Sequence, residues 1–524
     1  MADGREAQLI GGDRNRVVWV GRQIPEELQE AVKVLGLSDV DAVRNLERFD
    51  VSAADLFAVF VSAVGNDVDK ALGRLLRLLR TMHVLDYGVL LGTVSPDSAK
   101  AITLRRLLLD KFGNDRVEIA GLGLTRDDFA SALRSHQAGP PANPNLRPPL
   151  PGHDQDYDLH DYESDAILLQ RAFSGFTNIT LIPEEGGHSK DCKVWRIYAY
   201  RDKDTYEPFV AKAAKRMDLQ AEFETYCDFV RDFVPFPFRA PLLEARFVKG
   251  ATRAILVSAF VGRSQRLDKY LAASSSPELV MVSLFDGALG RWRREATSEH
   301  SSLGHIYIEQ QKAAKSNATD ARANSLLPDP EGLTAAFEKG RKVDNLLPAP
   351  PQLWDQLDKL PRKEHFSCRV HGDLNVRNVF VRWNSIDTIL IDFSRSGIRE
   401  SLARDPSKLD TSISLTARNS KGKLLPVKIL RRLYRGRLLP PRNLVTFDGR
   451  TDAICQIRRH AAGEGVSSDE YETLTICHLL RFACEPVNKE RDTVEMQNRR
   501  ALSYRLACGL LRNLSEYYHE IHLS

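Results

Sequence analysis

The segment His371-Gly372-Asp373-Leu374-Asn375-Val376-Arg377-Asn378, followed after a short turn by Ile391-Asp392-Phe393, constrains this chain more than any other. Phosphoryl transfer needs a carboxylate at the acceptor hydroxyl, with an amide oxygen and a second carboxylate to hold Mg²⁺ against nucleotide phosphates. Asp373 fits the catalytic role, and Asn378, five residues on, and Asp392 fit the metal roles. The flanking stretches 366–370, 378–382 and 387–392 alternate or run apolar with β-branched residues, and Trp383-Asn384-Ser385-Ile386 reads as a turn. The three side chains are therefore expected on a loop, a tight hairpin and a strand end. A bland hairpin whose Asp and Asn only cap turns would not need this spacing.

A nucleotide site of this kind needs a second set of residues upstream, and residues 179–215 have them in order. Ile179 to Pro183 and Lys193 to Tyr200 read as strands around Gly186, Gly187, His188 and Ser189, where paired glycines let backbone N–H groups approach phosphate oxygens. Phe209-Val210-Ala211-Lys212 reads as the next strand. Lys212 is expected to bridge the α- and β-phosphates, with Lys215 and Lys193 as competitors. Residues 219–233 have a helical period, and Glu222, with Glu224 in reserve, is expected to orient the lysine by an ion pair. The apolar strand 254–260 followed by a short helix fits a hinge, so an adenine would lie near Ser258 to Phe260.

From these residues the chain resembles the aminoglycoside phosphotransferase and choline kinase branch of the protein-kinase-like superfamily, over residues 165–520. That branch reads His-Gly-Asp, as here, where protein kinases read His-Arg-Asp. The resemblance implies an α+β, bilobal protein-kinase-like fold: a small antiparallel β lobe (165–262) and a helical large lobe (263–524) with an insertion near 317–350. It implies ATP or GTP and Mg²⁺ as cofactors, and a hydroxyl acceptor on a small molecule or protein. Gly372 cannot pair with a phosphorylated activation loop, and neither Asp-Phe-Gly nor Ala-Pro-Glu occurs, so regulation by loop phosphorylation is not expected. By the same resemblance Asp405 braces the catalytic loop. Ser394-Arg395 departs from the family pattern. The alternative functions are a nucleotide-binding pseudokinase scaffold and an adaptor in a bacterial defence or signalling complex. The latter follows from a looser likeness in layout to conflict-system proteins with a ternary-complex-associated kinase-like domain.

Upstream, after a tail at 1–23, residues 24–136 read as an all-α interaction domain for a protein partner, with helices at 25–35, 40–49, 53–64, 68–82, 96–112 and 127–135. Thr125 and Asp128 carry the hydroxyl and acid of a helix N-cap. The proline-rich run from Gly139 to Pro151 and the acidic stretch behind it read as a stiff, exposed linker over 137–164. No apolar run is long enough to span a bilayer, and seven scattered cysteines without a C-x-x-C pair suit a cytoplasmic protein. A net charge of +4 does not favour nucleic acid, although bases greatly outnumber acids from Arg418 to Arg450, a run expected to be a solvated face or a docking surface. His478, among leucines and Ile476, is expected in the core.

Overall fold

The computed structural model describes residues 16–20, 24–34, 40–43, 56–63, 87–92, 117–121, 125–129, 143, 145–149, 159–184, 192–249, 253–273, 276–301, 333–360, 363–439, 447–484 and 493–523. The expected phosphate loop at 186–189, the helices at 68–82 and 96–112, and the insertion at 317–330 lie outside them. By contact the chain divides into two compact units, Met1–Phe223 with Pro241–Phe260, and Glu224–Ala240 with Val261–Ser524.

The N-terminal region is not all-α. Strands β1 (Arg16–Val20), β2 (Val40–Val43), β3 (Leu56–Ala63), β4 (Tyr87–Gly92) and β5 (Val117–Gly121) form one sheet in the order β2-β1-β3-β4-β5. Every pairing in it is parallel, as in doubly wound α/β sheets of that strand order. Of the expected helices, α1 (Glu26–Val34) forms, with Leu28, Ala31 and Val32 buried on one face. The helices expected at 40–49 and 53–64 are strands over 40–43 and 56–63 instead. Parallel strands run nearly continuously apolar because both sheet faces are usually covered, so their sequences lack the alternation that marks an exposed strand. The cap at Thr125 forms as expected: the Thr125 N–H donates to Asp128 Oδ2 at 2.8 Å and the Asp128 N–H to Thr125 Oγ1 at 3.3 Å.

The kinase-like small lobe is entered by a helix, α2 (Leu159–Ala172), rather than directly by a strand. Asp165, expected in the acidic linker, is fully buried in it and pairs with Arg253 through 2.7 and 2.8 Å bonds. Nor is all of the proline-rich run exposed. Leu146 is buried with Phe173, Phe176 and Ile179, Gln170 Nε2 donates to its carbonyl at 2.9 Å, and Asn143 Nδ2 donates to the Phe176 carbonyl at 3.1 Å. The five-stranded antiparallel sheet follows in the order β6-β7-β8-β10-β9: β6 (Asn178–Pro183), β7 (Lys193–Tyr200), β8 (Tyr206–Lys215), β9 (Val248–Lys249) and β10 (Arg253–Ala259). Alternation divides its faces. Ala211, Ala213, Ile255 and Val257 join the aromatic core, whereas Ala214, Ala254 and Leu256 pack with Leu219 and Phe223 of α3 (Arg216–Thr225) on the other side.

In the second unit β11 (Ser264–Arg266) pairs with β14 (Val379–Arg382), which forms a hairpin with β15 (Thr388–Leu390). A second small sheet joins β12 (Thr297–Ser301), β13 (Lys363–Val370) and β16 (Gly397–Ser401). The helices α4 (Arg404–Thr416), α5 (Gly449–Gly463), α6 (Ser468–Cys484) and α7 (Val494–Leu523) make up much of the rest. They are fastened by Asp410, fully buried on α4, which accepts from Arg458 Nε of α5 at 2.8 Å and from the hydroxyls of Tyr434 and Tyr471, both at 2.9 Å. Burial, with the Asp410 charge behind it, pushes both phenols well above their ordinary pKa.

The basic run is only partly a solvated face. Arg450 is buried against Asp448 and the carbonyls of Ala417 and Lys423, and Arg437 pairs with Asp469 and Glu472. Tyr434 is interior. His478 is buried as expected, its Nε2 is 3.2 Å from the Arg404 carbonyl oxygen, and burial holds its pKa well below the usual value. Among the described residues no helix is long and apolar enough to cross a membrane.

Candidate active site

Within the small lobe, Lys212 sits on β8 opposite Val194 of β7 and Leu256 of β10. Its ammonium lies 2.7 Å from Glu222 Oε2, and Glu222 is nearly buried on α3. Leu219 and Phe223, neighbours of Glu222 on that helix, cover the same face of the sheet and so fix the carboxylate's position. Of the possible pairings this places Glu222 on Lys212, while Lys215 ends the strand exposed. Ser258 lies opposite Val210, two positions along from Lys212 on the same face of the sheet, since directly paired antiparallel residues point the same way. Phe260 follows the strand, with the Arg196 guanidinium 4.8 Å from its ring centre.

Within the second unit the catalytic loop leaves β13 at Val370. His371 is fully buried, its Nε2 is 2.9 Å from the Ile391 carbonyl oxygen, and its ring stands 5.0 Å from that of Phe393. Phe393 in turn packs on Tyr226 and Trp292. Asp405 performs the expected bracing: its two oxygens accept the backbone N–H groups of His371 at 2.7 Å and Gly372 at 3.0 Å. The loop is thus held from the α4 side by a buried carboxylate and from the β15 side by the histidine.

Gly372 has φ +78°, and a Cβ added there would stand 1.9 Å from the Arg395 carbonyl oxygen. The glycine of His-Gly-Asp is therefore required by the close passage of two backbones, a constraint separate from the missing charge. Gly372→Ala should cost at least about 1–3 kcal/mol through left-handed strain alone, with the backbone clash added. Urea unfolding compared with an alanine substitution at the unobstructed Gly262 checks it.

Asp373 projects from this braced loop. Its Oδ2 is 3.2 Å from Asn375 Nδ2 and its Oδ1 is 3.3 Å from Lys408 Nζ of α4. Asn378 Nδ2 donates to the Asp373 carbonyl at 2.9 Å, which ties the second functional residue to the first and orients its amide. The β14–β15 register opposes Val379 to Leu390, and the Ile391 N–H donates to the Asn378 carbonyl at 3.1 Å. Asn378 and Asp392 therefore lie at the same end of one hairpin. Asp392 has φ +59°, a conformation uncommon outside glycine and a mark of a constrained site, and Ser394 Oγ donates to its Oδ1 at 2.9 Å. One amide and one carboxylate are hard oxygen donors that suit Mg²⁺, which usually takes one or two carboxylates and completes its shell with phosphates and water. Among the described residues no group of three or more His, Cys, Asp or Glu is arranged to hold a metal alone.

The sequence pointed to Asp373, Asn378, Asp392, Lys212, Glu222 and Asp405, but not to Lys408 or to Ser412, whose Oγ accepts the Val376 N–H at 3.2 Å. The available signal was their helical spacing from Asp405.

Comparison with known proteins follows the same lines. Residues 283–400 match the family model described as the phosphotransferase enzyme family, bearing out the likeness to aminoglycoside phosphotransferases and their kin. No curated protein matches the chain in sequence. Among solved structures, a protein of Ralstonia eutropha assigned as an aminoglycoside phosphotransferase is 9% identical, with 68% of this chain and 98% of that chain covered and a TM-score of 0.38. An ethanolamine kinase of Plasmodium vivax is 11% identical over 68% of this chain and 95% of that chain, with a TM-score of 0.37. A type VIII aminoglycoside-3'-phosphotransferase is 14% identical over 54% and 93%, with a TM-score of 0.27.

Proposed function

We propose, from the phosphotransferase-family match of residues 283–400 and the braced Asp373 loop within it, that this chain moves the γ-phosphoryl of ATP or GTP to a hydroxyl of a small molecule or protein. The observation that carries the reading is the loop itself. Asp405, His371, Asn375 and Asn378 together fix where the Asp373 carboxylate stands. Asp373 accepts the proton of the acceptor hydroxyl as the oxygen attacks phosphorus. A bond forms from that oxygen to the γ-phosphorus, the bond to the bridging oxygen breaks, and the nucleoside diphosphate leaves.

Asn378 and Asp392 are the residues that would hold Mg²⁺, which when bound neutralises phosphate charge. Lys212, steadied by Glu222, takes the α- and β-phosphates. The backbone at 186–189 and the strand end at Ser258 to Phe260 are assigned to the phosphates and the base respectively.

A thermal-shift titration tests nucleotide binding, and phosphate release or label transfer from γ-labelled ATP or GTP tests turnover. Mg-nucleotide at 100 times its Kd should stabilise the site-bearing unit by about 2.7 kcal/mol, and Lys212→Met should sharply reduce that shift. Binding without transfer to any acceptor or to water would identify a scaffold instead.

A further inference from the structure

We propose that Lys408 is a positioning residue for the Asp373 carboxylate, a role that rests on the phosphotransferase reading above. Its ammonium lies 3.3 Å from Asp373 Oδ1 while Asn375 Nδ2 lies 3.2 Å from Oδ2, so each carboxylate oxygen has its own cationic or polar neighbour. Asn375 belongs to the loop and moves with it. Lys408 belongs to α4, and so refers the carboxylate to a second, independently buried element.

The helix is built for this task. Asp405, Lys408 and Ser412 recur at i, i+3 and i+7, the spacing that lines one helical face. They reach the His371 and Gly372 N–H groups, the Asp373 carboxylate and the Val376 N–H in turn. One side of α4 thus follows the catalytic loop over six residues. The same helix is immobilised from behind by the buried Asp410–Arg458 pair. Orientation imposed on Asp373 through Lys408 is therefore referred to the core of the unit.

Exposure separates this role from a structural one. The Lys408 and Asp373 side chains are 20% and 22% exposed, open enough for an acceptor to reach the carboxylate and enough for water to weaken the pair. A pair in such a setting adds little to folding stability. A misdirected reacting group, in contrast, can slow turnover by about 10²-fold. Loss of Lys408 should therefore depress turnover far more than stability.

The test compares the full-length protein with Lys408→Met and Lys408→Arg, using Mg-ATP hydrolysis to water read as phosphate release, with Mg-ADP thermal shift as the binding readout. The expected result for Lys408→Met is a kcat lower by about 10²-fold, with KM for ATP, the Mg-ADP shift and the melting temperature near those of the parent. Lys408→Arg, which keeps the charge, should recover most of the loss. Parent-like kcat in Lys408→Met overturns the inference, as does a loss that tracks a fall in melting temperature and is not rescued by arginine. A parent protein that binds Mg-ADP but releases no phosphate overturns the phosphotransferase reading and this role with it, so the two failures are told apart by the parent alone.

Discussion

Asp373→Asn is expected to lower turnover by about 10²–10⁴-fold, the range that a positioned general base contributes, while Mg-nucleotide still stabilises the protein. The replacement keeps the size and planarity of the side chain and removes its capacity to take the acceptor proton. The loop should hold its shape, because its bracing runs through Asp405 to backbone N–H groups and through His371 to the Ile391 carbonyl, none of which uses the Asp373 side chain. Phosphate release and nucleotide thermal shift measured on the same preparation check the expectation. Unchanged release would place the chemistry elsewhere, and a lost shift would make Asp373 a binding group.

The largest effect on stability is expected at Asp410. It is fully buried, as is nearly all of Arg458, and it serves as common acceptor for Arg458, Tyr434 and Tyr471. Asp410→Ala leaves a guanidinium and two phenols without that acceptor in a region closed to water. Breaking such a pair from one side costs about 3–5 kcal/mol, because the remaining charge is still buried. Urea unfolding followed by a probe in the second unit measures it. Asp410→Asn, which retains hydrogen-bonding atoms but loses the charge, should fall between the parent and the alanine variant.

The catalytic residues were legible because their roles fix both residue type and spacing. Strand β13, the hairpin β14–β15, the turn between them and the Lys212–Glu222 pair all lie where the sequence puts them. Asp405 was legible by resemblance, and its two hydrogen bonds give that resemblance a cause. Lys408 was not, since a lysine on a helix is usually solvated and nothing in its own neighbourhood announces the partner 35 positions away. The N-terminal strands were misread for a different reason. Leu56-Phe57-Ala58-Val59-Phe60-Val61 is apolar at every position, which suits a buried helix as well as a parallel strand, and periodicity alone cannot choose. The acidic stretch before the small lobe was read from composition, which hides that Asp165 has a buried arginine 88 positions downstream.

The contacts of Asn143 and Leu146 decide where this polypeptide can be divided. Gene fusion or loss that cuts at the acidic stretch would strip Leu146 from the aromatic cluster of Phe173 and Phe176, and would leave the carbonyls of Ser174 and Phe176 without their amide donor. A junction upstream of Asn143 preserves that packing. Shuffling of the parallel-sheet region against the phosphotransferase region is therefore constrained to breakpoints ahead of the prolines, so that those residues travel as part of the catalytic half.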